Sequence, residues 1–195
     1  MHRRCFQTLS GGLLILSSLG VAAAPESNPD LNRIASPSDV AGEEVMKTVR
    51  VHLQAFLGRD AKTLQRTYGK RVALMPGHEF LKPEYGLVEP GGRNVGASVE
   101  RKALVDAVVK NPKQIPPEKM EKLLGKFQFK SMPAKPGDRL TDLADRARKH
   151  EGKQPFKIEK GDAVIKVSIP DHPDFLLFQL RRKGDAWTVV SEYID

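Results

Sequence analysis

The sequence predicts an α+β domain, with helices first and an antiparallel meander after them. Apolar residues early in the chain fall three and four apart, at Met46, Val49, Leu53, Phe56 and Leu57, which is one face of a helix. Late in the chain they alternate instead: Ala163, Ile165, Val167 and Ile169, then Leu176, Phe178 and Leu180. Lys160-Gly161-Asp162 and Lys183-Gly184-Asp185 are short turn signals beside these runs. Strands joined by such short turns must be antiparallel neighbours.

The elements follow in order. Ser36-Pro37-Ser38-Asp39 opens the first helix: Ser36 caps, Pro37 takes the first helical position and Asp39 completes the box. Gly58 stops it. Asp60 caps a short second helix over 61–68, and Arg71 to Met75 reads as a strand ended by Pro76-Gly77. Residues 76–97 form the longest irregular segment; its glycines and prolines surround His78, Glu79, Phe80 and Tyr85, and these apolar residues suit a packed lid. Ser98 is expected to cap a helix reaching Lys110, and Pro116-Pro117 to open another that closes at Gly125. Phe127 and Phe129 suggest a short strand, and 139–150 a weakly patterned helix on Leu140, Leu143 and Ala147. Ala186 to Ile194 form the last strand.

The first residues read differently. Arg3 and Arg4 precede an apolar stretch around Leu13-Leu14-Ile15-Leu16, which ends in Ala22-Ala23-Ala24-Pro25. A positive start, an apolar middle and small residues at the end are the parts of a secretory signal. Val21 and Ala23 suit the cleavage pocket, with Ala24 as the new N-terminus. The expected organisation is a signal peptide over 1–23, a flexible leader over 24–35 and a single domain over 36–195. The apolar part is too short for a spanning helix, so no stable membrane span is expected after cleavage. The expected location is periplasmic or secreted.

Composition narrows the function classes. The only cysteine, Cys5, leaves with the signal, so the domain has neither disulfide nor thiol chemistry. The formal net charge is +8, but the positive groups Arg146/Arg148/Lys149 and Arg181-Arg182-Lys183 alternate with acids, as on a solvated surface. Aromatic residues make up 6%, too few for a stacking platform, and no nucleic-acid partner is expected. The sequence holds no G-x-S-x-G elbow, no H-E-x-x-H zinc helix and no phosphate-cradling glycine loop. No cofactor is expected.

The order of elements resembles a known superfamily. The long first helix ends in Ala55-Phe56-Leu57-Gly58-Arg59-Asp60, then come Leu64 and the strand Val72-Ala73-Leu74. At the far end, Phe178-Gln179-Leu180-Arg181-Arg182-Lys183-Gly184-Asp185-Ala186-Trp187-Thr188-Val189-Val190 looks like a final hairpin in which a glycine turn precedes a tryptophan. In these parts the chain resembles the nuclear transport factor two-like, or cystatin-like, α+β superfamily, which includes ketosteroid isomerases and SnoaL-like cyclases. The similarity covers the two ends, and residues 76–135 read as an insertion or a lineage-specific rearrangement. The resemblance implies a bent sheet wrapped on helices, a cone-shaped pocket between them, and an open sheet face suited to a homodimer. It carries no function of its own, because this fold hosts enzymes and binding modules alike.

Enzymatic members of that superfamily place acid, base or phenol groups inside the cone. The matching candidates are His52 beside the first-helix stripe, Tyr68, His78 in the irregular segment, and Trp187 and Tyr193 on the last strand. An imidazole titrates near neutrality and suits acid–base work. A lone histidine without a visible partner more often snorkels at a boundary, and aromatics on a strand face are more often core. No catalytic residue is therefore assigned. Asp171-His172-Pro173-Asp174 is read as a rigid turn rather than a metal site.

The favoured reading is an exported, non-enzymatic domain that binds a small ligand or an envelope component. One alternative is an isomerase or dehydratase using His52 with a sheet tyrosine or carboxylate. It requires a solvent-connected pocket beside His52 and an acid within reach. Another is an electrostatic binder of anionic envelope components, which requires a one-sided basic face.

Overall fold

Helical spacing folds Pro37–Gly58 into α1, which buries Val45, Val49, Leu53 and Ala55, with His52 in the same stripe. The helix does end at Gly58, but the left-handed residue at its end is Arg59, at φ 60°. The Asp60 N–H bonds to the Ala55 carbonyl at 2.9 Å and the Arg59 N–H to that of Phe56 at 3.4 Å, the two bonds of a Schellman ending. Asp60 then caps α2 (Ala61–Thr67) by accepting from the Thr63 N–H at 3.1 Å. The computed structural model describes residues 37–75, 78–87, 96–111, 115–143 and 156–194. The expected signal peptide and leader, and most of the expected helix over 139–150, lie outside them.

Strand β1 (Tyr68–Leu74) starts three residues before the expected strand. Two 3-10 turns follow, Glu79–Leu81 and Pro83–Tyr85. Ser98 does not cap a helix: it lies within β2 (Ala97–Glu100), opposite Ala73, because pairing with β1 claims these four residues. Helix α3 (Arg101–Lys110) starts only after them. Then come α4 (Pro117–Leu124), β3 (Gln128–Met132), the short α5 (Leu140–Leu143), β4 (Ala163–Ser168), β5 (Phe175–Lys183) and β6 (Ala186–Ile194).

The sheet order is β2-β1-β6-β5-β4-β3. The β5–β6 hairpin is antiparallel, as its short glycine turn requires, and β4 pairs antiparallel with β5 across the loop 169–174, whereas the turn at 160–162 precedes β4 and joins no two strands. The sheet is mixed rather than wholly antiparallel, because β1 joins β6 in parallel. No turn constrains that pair: most of the chain runs between the two strands. Helices α1 to α4 cover one face over the main core, which includes Leu64, Val72, Leu74, Leu104, Val108, Phe178, Leu180 and Val189. The opposite face is not bare. Leu140, Ile158, Met132 and Phe156 pack there on Val164, Phe175, Leu177 and Tyr193. No helix of the described residues is long and apolar enough to cross a membrane.

One irregularity decides which side chains enter the core. Leu180 faces Val189 and Gln179 faces Ser191, so Val190 is an extra residue with no opposite partner. Such a bulge reverses the alternation of faces beyond it. Glu192 comes to lie opposite Phe178, on the helix-covered face, and Tyr193 opposite Leu177, on the other. The neighbouring strand makes room with Gly69: a Cβ there would sit 3.1 Å from Val190 Cγ1 and 3.3 Å from the Arg71 carbonyl oxygen. Gly69→Ala is therefore expected to force the bulged strand away and lower stability by about 1–3 kcal/mol, read from urea unfolding midpoints at unchanged m-value.

Candidate functional site

The reversed strand brings a carboxylate to two imidazoles. His52, on the core stripe of α1, has its Nε2 2.9 Å from Glu192 Oε1. His78, the residue that starts the first 3-10 turn, has its Nε2 3.3 Å from Glu192 Oε2. All three are buried, at 0%, 2% and 3% exposure for His52, His78 and Glu192. A buried carboxylate lacks water, so its oxygens must find other donors; here each imidazole supplies one.

The remaining nitrogens fix the protons. His78 Nδ1 lies 3.3 Å from the Phe80 backbone N, which can only donate. Nδ1 is therefore the unprotonated nitrogen, Nε2 carries the hydrogen, and His78 is neutral. His52 Nδ1 lies 2.9 Å from Thr67 Oγ1. The Thr67 hydroxyl spends its single hydrogen on the Thr63 carbonyl at 3.0 Å, so it accepts from His52. His52 then donates from both nitrogens, and an imidazolium faces the carboxylate.

Burial alone would raise the Glu192 carboxyl. Hydrogen bonds from His52 and His78, and the charge these imidazoles carry when protonated, outweigh it and bring the group down to about 2. Tyr68 closes the cluster from β1, its ring 4.4 Å from that of His52 in an edge contact. Its buried hydroxyl finds no hydrogen-bond partner of good geometry among the described residues. Burial first, then the Glu192 charge, hold its pKa well above the ordinary phenol value, so it stays protonated.

The strap from His78 to Tyr85 lies over this cluster. Phe80, fully buried, has its ring centroid 4.7 Å from that of Tyr85 and 5.9 Å from that of Phe56. Tyr85 in turn accepts a bond from Asn111 at 3.3 Å. Beside the strap, Arg59 stacks on Phe56 and bonds its carbonyl; burial lowers its pKa, with Glu79 the largest opposing attraction.

Of the candidates read from the sequence, the fold brings His52, Tyr68 and His78 together. His52 is not a boundary residue but the centre of the cluster, and His78 pairs with Glu192 rather than with its neighbour Glu79. Trp187 is half-buried at the edge of the main core, its indole nitrogen without a partner among the described residues. Tyr193 lies on the other face of the sheet, 6.1 Å from Phe175, because the bulge precedes it. Glu192 was missed for the same reason. Simple alternation from Trp187 and Val189 points it outward, and no residue type announces the extra position at Val190.

The turn at Asp171 to Asp174 stays at the surface: the Asp174 N–H bonds to His172 Nδ1 at 3.3 Å. The groove beside it, lined by Phe127, Ser168, His172 and Phe175 among others, has room for about one water molecule. Among the described residues no group of three or more histidine, cysteine, aspartate or glutamate side chains is arranged to hold a metal ion.

No family model matches the sequence, and no curated protein does. Among solved structures, the chain is similar to proteins described as nuclear transport factor two-like or cystatin-like. One is a protein of that kind, of unknown function, from Silicibacter pomeroyi: 9% identity, TM-score 0.45, covering 82% of this chain and 100% of its own. Another, from Shewanella baltica and also of unknown function, has 10% identity and TM-score 0.43, covering 83% and 97%. A cystatin-like protein of unknown function from Nostoc punctiforme has 11% identity and TM-score 0.34, covering 82% and 91%.

The depressed Glu192 value sets an acid-stability window. A carboxyl lowered from 4.5 to about 2 contributes stability fully above the higher value and loses it as pH falls toward the lower. The wild type is expected to lose urea resistance steadily below about pH 4.5, whereas Glu192→Gln removes that part of the slope. At neutral pH Glu192→Ala is expected to cost about 3–5 kcal/mol, by leaving a buried imidazolium without its partner. Equilibrium unfolding measured across pH checks both.

Proposed function

We propose that the chain is an exported, non-catalytic binding or accessory domain of the cell envelope, and that its buried polar cluster holds the fold together rather than turning over a substrate. The observation that carries this reading is the burial of His52, at 0% exposure, with both ring nitrogens committed to Glu192 and Thr67. A general base must reach the proton it takes. Here the Tyr68 and Phe178 rings pack directly on the imidazole. The acid that the enzymatic alternative needs is present, but His52 itself is fully buried among the described residues.

The export part of the proposal rests on Arg3, Arg4, the apolar stretch and the small residues up to Ala24. A purely electrostatic role is less well supported. Arg181, the first residue of the basic run on β5, is held by Asp162 at 2.9 Å and by Glu159 at 2.9 Å, so its charge is already answered.

Native mass spectrometry of the protein taken from its own host tests the proposal. A chain beginning at Ala24 that carries a protein or small-molecule partner, released unchanged on dissociation, is the expected result. A full-length chain beginning at Met1 refutes the export, and a co-purifying molecule that the protein converts to a product refutes the non-catalytic reading.

A further inference from the structure

We propose that His78 is a proton-sensitive clasp: protonation of its Nδ1 releases the strap from Glu79 to Tyr85 and uncovers Phe80. The proposal rests on two features of the cluster. The first is the cap. His78 Nδ1 accepts the Phe80 N–H, and that bond exists only while Nδ1 has no hydrogen. A second proton on the ring would set two N–H donors against each other at 3.3 Å.

The second feature is charge. Glu192 supplies one negative charge, and the hydrogen bonds of His52 already assign it an imidazolium partner. A protonated His78 would add a positive charge that nothing in the cluster balances, and an uncompensated charge in a dry interior is costly. The other groups facing the strap do not rescue it. Tyr68, on β1, is held in its neutral form. Arg59, at the end of α1, brings a further positive charge beside Glu79 and Tyr85. Glu79 and Glu84, on the strap itself, are half-buried and exposed, so an outward movement hydrates both the new charge and its nearest acids.

The strap is built to move as a unit. Its backbone bonds are short-range: His78 to Met75 at 3.1 Å, Leu81 to His78 at 3.0 Å, Lys82 to Glu79 at 3.2 Å and Tyr85 to Lys82 at 3.1 Å. The 3.3 Å contact of His78 with Glu192 and the packing of Phe80 hold its start to the core. Losing the cap therefore loosens Phe80 and Leu81 without breaking the sheet. The consequence is an apolar surface that a mildly acid compartment exposes and a neutral one hides.

Amide hydrogen exchange of the whole chain from about pH 7.5 to about pH 5, corrected for the intrinsic pH dependence of exchange, tests this. Protection of the Phe80 and Leu81 amides is expected to fall at least about tenfold, while Leu177 and Phe178 on β5 keep theirs. His78→Asn, which keeps a capping acceptor but cannot titrate there, is expected to flatten the strap's response. Constant protection at Phe80, or a loss in step with β5, overturns the proposal, as does an unchanged pH response in His78→Asn. Imidazole nitrogen-15 shifts of the wild type decide independently of the variant's folding. His78 must gain its second proton over the range in which Phe80 loses protection, and a proton gained elsewhere over that range overturns the proposal.

Discussion

A carboxylate taken out of water has to be given back both its hydrogen bonds and its counter-charge, and in this molecule Glu192 receives them from two histidines that sequence keeps far apart. His52 comes from the first helix and His78 from the strap after the first strand, so the charge ties three parts of the chain to one point. The interaction reaches further than its two short bonds. His52 fixes Thr67 and with it the end of α2, and His78 caps the turn that drives Phe80 into the core. Helix, sheet and strap are mutually positioned by one ionised group, which is why its removal leaves an unbalanced charge rather than a simple cavity.

That arrangement uses the interior of the fold in a particular way. A helix-covered bent sheet can leave a hollow between its layers, and polar groups lining such a hollow are ready for chemistry. Here Tyr68 and Phe178 pack on the His52 ring, Phe80 packs on Phe56, and the acid–base groups face one another. The second face of the sheet is likewise occupied by the chain's own Leu140, Ile158 and Phe156. The strap beside the acid–base cluster carries a capping bond that depends on a single unprotonated nitrogen.

Much of this was legible in the sequence. Spacing of three and four residues located α1, the Asp60 cap located α2, the glycine turn at 183–185 located the β5–β6 hairpin, and alternation located β4, β5 and most of β6. These features are local: the residues that specify them are also the residues that form them. The failures were non-local. Ser98 reads as a helix cap until β1 lies beside it and takes it into a strand. The parallel pairing of β1 with β6 leaves no turn signature, since its two strands are separated by most of the domain.

The site divides in the same way. The sequence by itself determined that His52 lies beside a core-facing stripe, that His78 sits in a segment with enough apolar residues to pack, and that a tyrosine stands near the end of the second helix. Only the tertiary structure decided that these meet at Glu192. The reason is the single extra residue at Val190, admitted because Gly69 on the adjacent strand has no side chain to collide with it. A bulge of one residue changes no composition and little periodicity, yet it turns every later side chain to the opposite face. It sends Tyr193 away from the histidines and brings the carboxylate in, and that exchange is set by contact between strands, where no one-dimensional pattern records it.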